Sequence, residues 1–164
     1  MVHALRKYVR ITDYINKGVG WLLFAMLAVM SILIFWQVFA RFVAGNSLTF
    51  SEEASRFLMI WLVLLGTAYS IKGGSLIAID LLQSKLKGNA QKTVKLIMSI
   101  IACVFYVILL INGFEIAQSV SFQTAPTTGL SMFWPMLALP VGGLLMFINT
   151  IAVLIEDFIG KEEQ

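Results

Sequence analysis

The chain has 164 residues, 59% of them hydrophobic and 13% charged, and a mean hydropathy of +0.88, whereas a soluble domain carries roughly a quarter charged residues. At about 20 residues per crossing helix the length suits four spans with short connections, which rules out a large soluble catalytic domain and argues against a complete transporter with two repeats. One cysteine excludes an internal disulfide, one histidine leaves little for imidazole chemistry, and the net charge of +3 is informative through its placement along the chain.

Residues 1–17 place Leu5, Tyr8, Val9, Thr12 and Ile15 at helical spacing, with Arg6, Lys7, Arg10 and Asp13 between them. The pattern predicts a short basic amphipathic helix on an anionic membrane surface, with a frayed basic tail as the alternative. The first apolar run, 18–40, contains no charge before Arg41 and is too long for a signal-peptide core of about 7–15 residues. It reads as the first span.

The second span is expected over 51–72. Ser51 is a candidate cap, Thr49 with Glu52 a candidate capping box, and Glu52 and Glu53 suit the positive end of a helix dipole. The third is expected over 93–111, lengthened by Lys92 and Lys95, whose stems can snorkel. The fourth, 132–155, is interrupted by Pro135 and Pro140, so a broken or re-entrant entry followed by a helix from Pro140 is the alternative. Residues 156–164 form a polar tail. The fold class is an all-α integral membrane protein.

Charge placement gives an orientation. Ten of the twelve basic residues precede the first span, lie between the second and third, or follow the fourth. The connection over 112–131 carries Glu115 and no basic residue. By the positive-inside rule both termini and the middle loop are cytoplasmic, and the basic balance reflects topology rather than a nucleic-acid partner.

Polar groups at membrane depth are costly and therefore informative. The densest set is Ser51-Glu52-Glu53-Ala54-Ser55-Arg56, where Arg56 follows Glu52 by four residues and Glu53 by three. The set reads either as a network fixing this helix to the first helix or a partner, or as an interfacial cap with ordinary charge pairing. Lys72-Gly73-Gly74 permits a bend, after which Asp80 could start a helix or pair with a lysine; residues 123–129 read as a solvated external turn. No catalytic, substrate-binding or metal set emerges: His3 is isolated, Cys103 reads as core, and no HExxH or CxxC is present. Trp21, Phe42 and Trp134 suit interfacial belts, while Trp36 and Trp61, set about one turn inside, suit packing on another membrane protein or lipid anchoring.

In order and spacing, Glu52-Glu53-Ala54-Ser55-Arg56-Phe57, Trp61, Gly66, Gly73-Gly74 and Asp80 resemble the small membrane subunit of tripartite ATP-independent periplasmic (TRAP) transporters, the DctQ-like family. Trp36-Gln37-Val38-Phe39-Ala40-Arg41-Phe42 and, in the fourth span, Trp134-Pro135, Leu139-Pro140 and Val141-Gly142 extend the resemblance. One departure is Ser75, where family members often carry a histidine two positions beyond a glycine.

The resemblance implies a bacterial inner-membrane subunit that scaffolds a large multi-span subunit. A periplasmic solute-binding protein would deliver an organic acid: a C4-dicarboxylate, sialic acid or another sugar acid. Sodium and substrate sites would lie in the large subunit, so this chain is expected to hold no cofactor and to be no enzyme; its partners are those two proteins and membrane lipids. Structural or interface candidates are Arg41, Glu52, Glu53, Arg56, Trp61, Lys72, Asp80, Trp134 and Pro140. The alternatives are a self-assembling small multidrug-type exporter, which needs a membrane-embedded carboxylate open to both sides, and a noncatalytic anchoring subunit of another complex.

Overall fold

A computed structural model describes residues 2–43, 49–73 and 89–162, with side-chain surroundings over 5–43, 49–73 and 93–156. Ser75, Asp80, Lys85 and Lys87 lie outside the described residues, as do the side chains of Lys92 and of residues 157–164 of the polar tail. The elements are α1 (Val2–Val43), α2 (Thr49–Lys72), α3 (Asn89–Ser119), a single turn α4 (Phe133–Met136) and α5 (Ala138–Glu162). Among the described residues there is no strand beyond an isolated bridge between Thr124 and Ser131. Four stretches are long and apolar enough to cross a membrane: Leu5–Val43, Thr49–Lys72, Thr93–Ser119 and Phe133–Glu156.

The helices form a row in the order α1, α2, α5, α3, in which α1 also touches α5, and among the described residues α1 and α3 do not touch. The two central helices share the core of Ala68, Ile71 and Met146, on which Leu64, Tyr106 and Leu145 pack. Their contact is close because α5 presents glycines where its neighbours arrive. A Cβ at Gly142 would stand 2.8 Å from Leu64 Cβ of α2, and one at Gly143 would stand 3.1 Å from the Tyr106 carbonyl oxygen of α3. Without a hydrophobic drive between helices in lipid, such small-residue approaches supply the packing attraction.

The outer helices are correspondingly bare. On α1, Trp21, Phe24, Ile32, Phe35 and Phe42 are exposed, and on α3 Ile97, Ile101, Phe105, Ile108 and Ile111. Such apolar surface is stable against acyl chains or another membrane protein, and unstable against water.

Three readings of the sequence change. Residues 2–17 are neither a separate element nor a tail: they continue α1 without a break, giving a helix of about 63 Å at 1.5 Å per residue. Its packed face in that segment is polar. Thr12 and Asn16 are buried, whereas Ile11 and Ile15 are 50% and 41% exposed. The third helix runs to Ser119, eight residues past Ile111, so Glu115 belongs to a helix and not to the connection. Ser51 is the third residue of α2 and 3% exposed, so it is no cap. Boundary shifts of one or two residues are ordinary; the extension of α3 is larger, and within it Gly113 lets α3 pass close to α5, because a Cβ there would stand 2.8 Å from Leu139 Cβ.

The fourth span is broken as its prolines suggest, but early. The turn α4 ends at Leu137, which keeps right-handed helical angles (φ −61°, ψ −18°), and α5 resumes at Ala138. Pro140 falls in the first turn of α5, where a missing N–H costs no intrahelical bond.

Candidate functional site

Polar side chains gather at the two ends of the row. At one end, Glu53 near the start of α2 accepts hydrogen bonds at Oε2 from the backbone N–H groups of Thr127 (2.9 Å) and Thr128 (3.0 Å). Its Oε1 is buried without a partner among the described residues, as is Ser55 Oγ. The loop that Glu53 holds is a tight antiparallel fold: Ala125 N–H donates to the Leu130 carbonyl at 2.8 Å and Met132 N–H to the Gln123 carbonyl at 2.9 Å. Gly129 turns it with φ 67°, a conformation glycine adopts without a Cβ clash. The segment read as a solvated turn is exposed over most of its length, and these bonds order it beside the start of α2, with its own Ala125 buried.

Arg56 donates to Glu52 Oε1 at 2.5 Å within α2. Their side chains are 72% and 47% exposed, so the pair is worth about 0.3 kcal/mol at most after solvent screening. Between α2 and the loop lies a pocket of 310 Å³ lined by Glu52, Glu53, Arg56, Phe57, Thr127 and Met132, among others. The acidic pair thus divides: Glu52 pairs along its own helix and Glu53 ties α2 to the loop. Neither reaches α1.

Trp61 Nε1 donates to the Trp134 carbonyl at 3.3 Å, joining α2 to α4 one turn further in. These two candidates are brought together, whereas Arg41, at the end of α1, remains exposed and apart. Trp36 is 55% exposed on α1 and stacks on Phe39 of the same helix.

At the other end, Lys72 closes α2 and its ammonium meets carboxylates from both flanking helices, Asp13 of α1 at 3.1 Å and Glu156 of α5. The Lys72 side chain is only 10% exposed. One cation thereby holds three helices, while Asp80, read as able to start a helix or pair with a lysine, lies outside the described residues.

Deeper by about two turns lies a polar cluster that reading the sequence did not reveal. Asn16 Nδ2 donates to Asn149 Oδ1 at 2.6 Å, and Asn149 Nδ2 donates back to Asn16 Oδ1 at 3.0 Å. Asn149 Nδ2 also donates to the Ala68 carbonyl of α2 at 2.6 Å, and Asn16 Nδ2 to the Thr12 carbonyl at 2.9 Å. Tyr8 donates its hydroxyl to the Ile148 carbonyl at 3.2 Å. The reciprocal amide pair satisfies groups that hydrocarbon would leave costly and registers α1 against α2 and α5. The signal was available: Asn149-Thr150 interrupts an otherwise apolar run, and Asn16 lies one turn before the first span.

Between these two polar ends the described spans carry no charged side chain, and no group of three metal-ligating residues occurs among the described residues. A row of apolar helices pinned at its ends, with two bare outer faces, defines a multi-pass membrane protein. The family model for the DctQ component of tripartite ATP-independent periplasmic transporters matches residues 30–160. The chain is 32% identical over 125 residues to the sialic acid TRAP transporter small permease protein SiaQ of Vibrio cholerae, covering 76% of this chain and 70% of that protein. It is 30% identical over 139 residues to a putative TRAP transporter small permease protein of Haemophilus influenzae, covering 83% and 84%. A similar region, 28% identical over 141 residues, makes up 22% of the much longer sialic acid TRAP transporter permease protein SiaT of Haemophilus influenzae. The chain belongs to the family of TRAP transporter small membrane subunits and is a multi-pass inner-membrane protein.

Proposed function

We propose that this chain scaffolds the large subunit of a TRAP transporter during sodium-coupled uptake of an organic acid, with sialic acid first among the candidates and C4-dicarboxylates and other sugar acids next. What carries the reading is the distribution of polarity: uncharged middles of all four spans beside two bare apolar outer faces. The middle of the helix row holds no charged side chain, and charged groups at depth commonly mark intramembrane transport sites. Its exposed α1 and α3 faces suit packing on a larger membrane partner.

The similarity of the chain to a region making up 22% of the longer SiaT permease supports that partnership, because the remainder of a TRAP permease chain accompanies that region there. A periplasmic solute-binding protein completes the proposed machine. Both termini face the cytoplasm on this reading, which puts the Glu53-held loop on the periplasmic side. A self-assembling exporter is disfavoured: its required carboxylate would be Glu52 or Glu53, and both sit at the start of α2, Glu52 in its first turn and Glu53 next to it.

The test is affinity purification of the tagged full chain from membranes, followed by reconstitution. Recovery with a large multi-span subunit is expected, as is uptake that fails when sodium is replaced by potassium or when the binding protein is omitted. Substrate uptake by a homo-oligomer of this chain alone would refute the proposal. Arg56→Ala is expected to lower the yield of complex while leaving substrate selectivity unchanged, because its intrahelical pair contributes little to the chain itself.

A further inference from the structure

At the basic end of the row some polar groups are paired across helices and others are not. Lys72 holds Asp13 and Glu156, and Asn16 holds Asn149. The Lys17 ammonium and the Tyr69 hydroxyl make no hydrogen bond or ion pair among the described residues. Both line the same open groove of 530 Å³ between α1 and α2, with Gly20, Trp21, Leu23 and Phe24.

Gly20 opens this groove. Tyr69 Cε2 lies 3.1 Å from where a Cβ of residue 20 would stand, so the phenol ring lies across the glycine and brings its hydroxyl within 3.6 Å of that point. Along α1 the residues Arg10, Tyr14, Lys17, Trp21 and Phe24 repeat at intervals of four, three, four and three, which places them on one face. All five are exposed. The face passes from cation to amphipathic ring to apolar ring. Lys17 and Phe24 are separated by about 10 Å along the helix axis, a distance suited to joining a lipid headgroup to the upper part of its acyl chain.

We propose that this groove binds an anionic phospholipid. The Lys17 ammonium and the Tyr69 O–H donate to phosphodiester oxygens, and one acyl chain lies along Trp21, Leu23 and Phe24. Charge complementarity selects the occupant. An apolar helix from another protein would cover an unpaired ammonium without supplying a carboxylate, which is costly. A zwitterionic lipid would bring a second cation beside Lys17, with Arg10 two turns away on the same face. A phosphatidylglycerol headgroup brings the missing negative charge and none of the repulsion. The site is independent of which subunit the chain scaffolds.

Native mass spectrometry of the full chain in detergent, titrated with phosphatidylglycerol or phosphatidylcholine of identical acyl chains, tests the proposal. Wild type is expected to retain phosphatidylglycerol preferentially. Lys17→Gln is expected to weaken that retention about fivefold, the scale of one basic contact near an anionic surface, and to leave phosphatidylcholine unchanged. Tyr69→Phe removes only the hydroxyl and is expected to act in the same direction. Helical content by circular dichroism should be that of wild type for both variants, so a folding defect is read separately. Equal retention of the two lipids by wild type would overturn the site, as would an unaltered preference in both variants. Cross-linking from a photoreactive residue at position 21 to a protein instead of to lipid, in membranes, would overturn it too.

Discussion

Asn149→Ala probes what holds α1 to the bundle. Asn149 takes part in three interhelical hydrogen bonds, two with Asn16 and one with the Ala68 carbonyl, and is 1% exposed. Interhelical bonds in membrane proteins average about 0.6 kcal/mol each, so three contribute about 2 kcal/mol. The truncation also strands the Asn16 carboxamide oxygen in a buried place, which costs about 1–3 kcal/mol more. The expected total is about 3–5 kcal/mol. It should appear as an earlier midpoint when the full chain in mixed micelles is unfolded with increasing sodium dodecyl sulfate, followed by circular dichroism. The decisive measurement is the double-mutant cycle. Asn16→Ala removes the same reciprocal pair, so the double variant should be less destabilised than the sum of the single ones by about 1–2 kcal/mol, twice the worth of one such bond or somewhat more. Additivity within about 0.3 kcal/mol would show that the two amides do not interact and would refute the registration of α1 through this pair.

Two further expectations concern packing and the loop. Gly142→Ala places a methyl 2.8 Å from Leu64 Cβ and should destabilise the chain by about 1–3 kcal/mol through overpacking. Gly66→Ala meets nothing within 4 Å and should stabilise by about 0.5–1 kcal/mol, the ordinary helix advantage of alanine; the same detergent titration compares them, and equal effects would contradict the close approach of α5 to α2. Glu53→Ala removes the acceptor of the Thr127 and Thr128 N–H groups, at a cost of about 1.5–3 kcal/mol for bonds to a charged group. Hydrogen exchange at those two amides should accelerate about tenfold or more while exchange in α5 stays as in wild type, and unchanged protection at both would show that Glu53 does not hold the loop.

How far the sequence carries can be seen residue by residue. Glu52 and Arg56 stand four apart, so their pairing follows from helix geometry alone. Glu53 is next in the chain and its partners are more than seventy residues away, a contact that no local spacing encodes. Trp134 was legible as an interfacial ring and Trp61 as a ring about one turn inside, but their hydrogen bond depends on how α4 seats beside α2. Lys72 was legible as a helix-end cation, and the choice of Asp13 and Glu156 over a nearby acid belongs to the meeting of three helices.

The sequence by itself determined that the chain lives in a membrane, crosses it with four helices and carries its charges at the ends, because hydrophobic run length and charge exclusion act locally along the chain. It also carried the family likeness, which rests on ordered short motifs. Only the tertiary structure decided that Tyr8, Thr12 and Asn16 face inward while Ile11 and Ile15 face out. The reason is physical. In lipid an apolar side chain gains little by turning inward, so a hydrophobic stripe does not dictate the buried face. A buried amide must find its partner, and the partner of Asn16 arrives from the far end of the chain.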